Sequence, residues 1–267
     1  MSDIKKATTD SKALQMINQM RAMARPHWIA LFSVIFLAWL ALYAMALPAD
    51  LRAMSKIYGA DFWASLCVVT PDVAGFGRIM LMWLLMSGAM MAPTAFPAFA
   101  TYDDLAHTEA STRFGHLVAG YLVIWFGFSI IAACLQMGLF LGGLLDPLGQ
   151  SLSNILSGAL LIGAGLYQFS PLKEACLSKC RRPFTFFMQH WDEGAWRNGL
   201  RLGAVCIGCC WALMLLAFVG GVMNIAFMGL ATFIMIFEKL PDLGRFITRP
   251  LGAVLCLSGA ALIAISI

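Results

Sequence analysis

Apolar residues in this chain neither alternate nor gather on one helical face; they run on for about 17 to 24 positions at a time. Seven such runs lie near 28–47, 79–99, 117–140, 152–169, 201–219, 221–237 and 250–267. Each approaches the length that a hydrocarbon core of roughly 30 Å requires of a helix. A backbone surrounded by lipid must satisfy its own hydrogen bonds, and runs of this length do so as helices. The pattern predicts an all-α, polytopic membrane helix bundle of about seven transmembrane helices. Residues 1–26 form a polar tail, and residues 27–267 a single helical membrane domain. The first run exceeds the 7 to 15 apolar residues of a signal peptide, so it is read as an anchor. The 48–77 segment, punctuated by Pro48, Gly59, Pro71, Gly75 and Gly77, is the longest loop.

Composition agrees with the pattern. The 267 residues are 61% hydrophobic and 12% charged, whereas soluble domains carry about 25% charge. Mean hydropathy is +0.81. Of the 18 Lys and Arg residues, 15 fall in the tail and in alternate connections, leaving only Arg52, Lys56 and Arg78 on the other side. The positive-inside rule then predicts a cytoplasmic N-terminus and an external C-terminus. A net charge of +4 needs no nucleic acid to explain it. The expected partners are the lipid bilayer and either a metal donor or a larger membrane complex.

Sulfur is the candidate chemistry. Cys206, Cys209 and Cys210 lie inside the fifth run, and Cys206 and Cys210 share a helix face at i and i+4. Cys176 and Cys180 repeat that spacing just before it, after a Ser170-Pro171 helix start. Met82, Met86 and Met90 form an i, i+4, i+8 stripe in the second run, at a depth similar to the cysteines. Thiolates and thioethers select Cu(I), with zinc the weaker candidate. The candidate ligands are therefore Cys206, Cys209, Cys210, Cys176, Cys180, Met86 and Met90. Free cysteine is also a small buried hydrophobe and methionine a gap filler; that reading applies to Cys134 and Cys256 and stays open for the stripe. Basic neighbours of Cys176 and Cys180 predict thiols that ionise readily.

Other residues point to packing. Gly138 and Gly142, Gly199 and Gly203, and Gly163 with Gly165 have spacings that permit close helix contact. Pro93 frees the carbonyl of Ala89 and predicts a kink. Gln136, Gln168, Asn154, Asn224 and Ser87 are expected to face neighbouring helices. Glu238-Lys239 reads as an interfacial pair, and His107, His116 and His190 lie outside the apolar runs. The sequence holds no HExxH, P-loop, EF-hand or dinucleotide fingerprint and no Gly-x-Ser-x-Gly elbow.

Trp83-x-x-Met86 followed by Ala89-Met90-Met91-Ala92-Pro93 resembles the signature of an uncharacterised bacterial family described as predicted metal-binding integral membrane proteins. Tyr167 to Lys173 with Cys176-Leu177 and Cys180-Arg181-x-Pro183 resembles its second block. Gly208-Cys209-Cys210-Trp211-Ala212-Leu213-Met214, Gly221-x-Met223-Asn224 and Glu238-Lys239 resemble its third. Ala92 departs from the expected leucine. The resemblance spans roughly 78–240; it implies metal binding in the bacterial inner membrane and brings no established activity. Three functions follow: metal handling or assembly by a soft-metal protein, a structural or anchoring subunit, and a membrane oxidoreductase.

Overall fold

The computed structural model describes residues 26–46, 65–66, 68–106, 113–241 and 243–266, without the side chain of residue 245. The polar tail up to residue 25, most of the 48–77 loop and His107 lie outside the described residues. The chain is all-helical apart from one isolated bridge, Leu145 to Ser151, among the described residues. In chain order the helices are α1 (Pro26–Ala46), α2 (Val73–Thr94), α3 (Phe96–Ala106), α4 (Phe114–Leu141) and α5 (Asn154–Gln168). They continue with α6 (Pro171–Arg181), α7 (Pro183–Met188), α8 (Gly194–Leu215), α9 (Ala217–Gly220), α10 (Ile225–Lys239) and α11 (Gly244–Ser266).

All seven apolar runs fall on these helices. Among the described residues, five stretches are long and apolar enough to cross a membrane: Pro26–Ala46, Val73–Thr94, Phe114–Leu141, Trp191–Gly220 and Phe246–Ser266. A sixth is possible if α5 and α6, bent by 62°, count as one broken span. The run at 221–237 is different. It folds as α10, whose 15 residues reach about 22 Å at 1.5 Å per residue, short of a crossing on length alone.

Polar side chains start the shorter helices. Ser153 Oγ accepts from the Leu156 amide, Ser170 Oγ from Lys173 and Asn224 Oδ1 from Phe227, each covering an amide that the first turn leaves unpaired. Asn224 is therefore a helix cap, and Asn154 is the exposed first residue of α5; neither faces a neighbouring helix as expected. Pro93 lies in the last turn of α2, just before the break at Ala95. The carbonyl it frees at Ala89 accepts a hydrogen bond from Trp39 Nε1 of α1 at 2.9 Å, so the proline fault is closed by a neighbouring indole.

Two helix pairs are packed through glycine. In α4 against α8, a Cβ on Gly120 would lie 2.5 Å from the Trp196 carbonyl oxygen, and one on Gly199 would overlap the Leu117 carbonyl. In α5 against α11, Cβ atoms on Gly158 and Gly259 would meet the opposing backbone oxygens at 2.8 and 2.6 Å. Gly199, Gly203 and Gly165 thus do what their spacing implies, whereas Gly138 and Gly163 meet nothing within 4 Å. Two residues expected inside behave so: Trp83 Nε1 donates to Gln136 Oε1 at 2.7 Å, and the Ser87 and Ser129 hydroxyls lie 3.4 Å apart.

Candidate metal centre

Helix α8 packs on α4 through glycines, so its cysteine face is pressed into the bundle. Helical geometry places Cys206, Cys209 and Cys210 on adjoining positions of that face, and all three are buried. Their sulfurs lie within 4.8 Å of one another. Cys209 Sγ and Cys210 Sγ are 3.2 Å apart, and the Cys209 thiol donates to the Cys206 carbonyl at 3.1 Å. Three sulfurs around one soft ion at about 2.3 Å sit roughly 4 Å apart. The separations here, 3.2 Å between Cys209 and Cys210 and all within 4.8 Å, bracket that value, so the donor set fits such an ion.

Four other helices complete the surroundings. Lys239, the last residue of α10, places Nζ 3.0 Å from Cys206 Sγ and 2.6 Å from Thr94 Oγ1 at the end of α2. From α4, the Tyr121 hydroxyl lies 3.2 Å from Cys206 Sγ and donates to the Met91 carbonyl at 3.0 Å. Helix α6 brings Cys180 Sγ to 4.0 Å from Cys209 Sγ. A cavity of about 10 Å³ among Thr94, Tyr121, Cys180, Cys206 and Lys239 offers room for about one water-sized species.

Glu238 and Lys239 are adjacent in sequence but take different partners. Glu238 Oε2 is 2.8 Å from Lys173 Nζ, with both side chains 1% exposed. Its carbonyl accepts from Arg181 Nε at 2.9 Å. The pair expected at an interface is thus buried and split. One residue pins α6, and the other supplies positive charge beside the thiol cluster.

The structure unites Cys206, Cys209 and Cys210 and adds Cys180. Cys176 lies against Gly208, where a Cβ would stand 2.5 Å from its sulfur. Lys173, counted among the activating charges of Cys176, is committed to Glu238. Met86 and Met90 are buried in α2, whose tie to the cysteines runs through the Met91 carbonyl and Thr94. Cys134 is exposed, and Cys256 lies on the α5–α11 contact against Gly165. Sequence reasoning missed Tyr121 and Thr94, read Lys239 only as part of an interfacial pair, and read Lys173 only as a charge beside Cys176. Charged residues closing an apolar run were the available signal, since such groups are rare unless they have partners.

A buried thiol cluster in a helical bundle of this composition offers the donor chemistry of a soft-metal site. Residues 80–262 match the model of the PpoB2 family, described as a copper chaperone, and the chain belongs to that family. The resemblance to a metal-binding family read from the sequence is thereby upheld, and a copper-handling role is supported. No curated protein and no solved structure matches the chain.

Proposed function

We propose that the protein is a multi-pass copper chaperone of the bacterial inner membrane that holds Cu(I) at Cys206, Cys209 and Cys210 within the bilayer. The observation that carries this reading is the convergence of three buried sulfurs beside a buried ammonium, in a chain of a copper chaperone family. Copper is the cargo. The cysteines bind as thiolates and shed their protons as metal arrives, and soft sulfur selects Cu(I) over hard cations. Lys239 offsets part of the thiolate charge, which is unfavourable where water is excluded. Tyr121 and Thr94 orient that ammonium and the Cys206 sulfur. Met86 or Met90 supplies a supplementary thioether from α2, and Cys176 and Cys180 lie on the approach from α6.

Elemental analysis of detergent-purified protein from copper- and zinc-supplied cells tests this directly. About one copper per chain is expected, and less than about a tenth of that in Cys206→Ser/Cys209→Ser/Cys210→Ser, whose helical circular dichroism should persist. Equal copper in the triple variant would sink the ligand set. Absence of copper from the wild type would leave the structural-subunit reading in its place.

A further inference from the structure

Cys180 stands apart from the three-cysteine cluster in sequence and in helix, yet it reaches the cluster from one side. Its sulfur is 4.0 Å from Cys209 Sγ, a separation that two sulfurs bridged by one Cu(I) ion would show with slight opening. It also lines the small cavity that Cys206 and Lys239 line. Unlike the three cluster cysteines, Cys180 is only half-buried. Helix α6 holds it there through two contacts to one residue, the Lys173–Glu238 ion pair and the Arg181 hydrogen bond to the Glu238 carbonyl.

We propose that Cys180 and Cys209 form a second, outer Cu(I) site, and that Cys209 belongs to both sites as the sulfur on which copper is handed inward. The inference rests on the copper-chaperone reading of the inner cluster and assigns Cys180 a role that cluster alone does not need. Copper remains Cu(I) throughout. As the bond from copper to Cys206 or Cys210 forms, the bond to Cys180 breaks. Cys180 leaves as a thiolate and takes up the proton that the incoming thiol releases. Holding a second sulfur within reach avoids a free ion in an apolar interior, where an uncompensated charge is costly. Glu238 is a positioning residue in this scheme: through Lys173 and Arg181 it keeps α6, and with it Cys180, against α8.

The test uses full-length protein in detergent and Cu(I) supplied and withdrawn by an excess of a coloured Cu(I) chelator. Bound copper at equilibrium reports the inner site, and the exchange rate reports the outer one. Cys180→Ser is expected to keep its copper with an affinity within about threefold of wild type. It should exchange that copper about tenfold or more slowly, because the second ligand is no longer held in place. Cys180→Met keeps a soft donor and should recover most of the rate, which a purely structural cysteine would not show. Lys173→Met retains every cysteine and should slow exchange as well. Unchanged exchange in Cys180→Ser overturns the proposal while leaving the inner site standing. Loss of equilibrium copper in Cys180→Ser equal to that in Cys206→Ser overturns it too, making Cys180 a fourth ligand of a single site. A wild type that binds no Cu(I) overturns the copper reading itself.

Discussion

Two glycine-packed helix contacts in this molecule carry a cysteine, and they differ in what surrounds it. Between α5 and α11, Cys256 lies against Gly165 and the Ile162 carbonyl. Between α4 and α8, Cys206 has Tyr121 and Lys239 within 3.2 Å, and two more cysteine sulfurs within 4.8 Å. Glycine does the same work at both contacts, letting backbones approach. A cysteine in such a contact is a packing residue until other donors and a charge converge on it. The difference also marks α8 as the organising element, since α4, α6 and α10 all pack on it.

The comparison can be broken at its shared part first. Gly199→Val would drive a side chain into the Leu117 carbonyl oxygen, a backbone atom that cannot step aside. Overpacking of this kind should destabilise by about 3 kcal/mol or more, read as a fall in thermal midpoint in detergent. Gly138→Ala meets nothing within 4 Å and should be neutral or stabilising by up to about 1 kcal/mol, as glycine is a weak helix former. If both variants behaved alike, close approach would not be what holds α4 to α8.

The next prediction concerns the charge buried beside the Cys206 cluster. Lys173→Met strands the Glu238 carboxylate, 1% exposed, without its ammonium. Breaking a buried pair on one side should cost about 3–5 kcal/mol. Lys173→Met/Glu238→Leu should recover much of the loss, because replacing both partners removes the uncompensated charge. Thermal unfolding of the single and double variants checks this, and a double variant no more stable than the single one would contradict it.

The smallest effect sharpens the contrast between the two cysteines. Cys256→Ser should leave bound copper at the wild-type level and change stability by no more than about 1 kcal/mol. A loss of copper in Cys256→Ser would mean that the α5–α11 contact is not packing alone.

Much of the architecture was legible because transfer into lipid is a property summed along a window. Seven apolar runs become helices at nearly the expected places, and the run at 221–237 misleads only in length. The chain before Asn224 turns, and that residue caps α10, so the run is shortened by a cap that hydropathy does not register. Part of the site was legible for a local reason too. Positions 206, 209 and 210 share one side of any helix, whatever packs against it. The misread residues were those whose partners are remote: Glu238-Lys239 looked interfacial because nothing nearby in sequence shows that Lys173, 65 residues away, neutralises the first of them.

By itself, then, the sequence determined an all-helical, apolar chain with three sulfurs on one helix face, since hydropathy and helical periodicity act over a few turns. Tertiary structure alone decided that Lys239 lies against Cys206, 33 residues distant, and Cys180 beside Cys209, 29 residues distant. It also decided which glycines mattered, by bringing α8 onto α4 and α11 onto α5. A buried charge or a shared sulfur depends on which helices become neighbours. That choice is made by packing the whole bundle at once, and no short window of residues contains it.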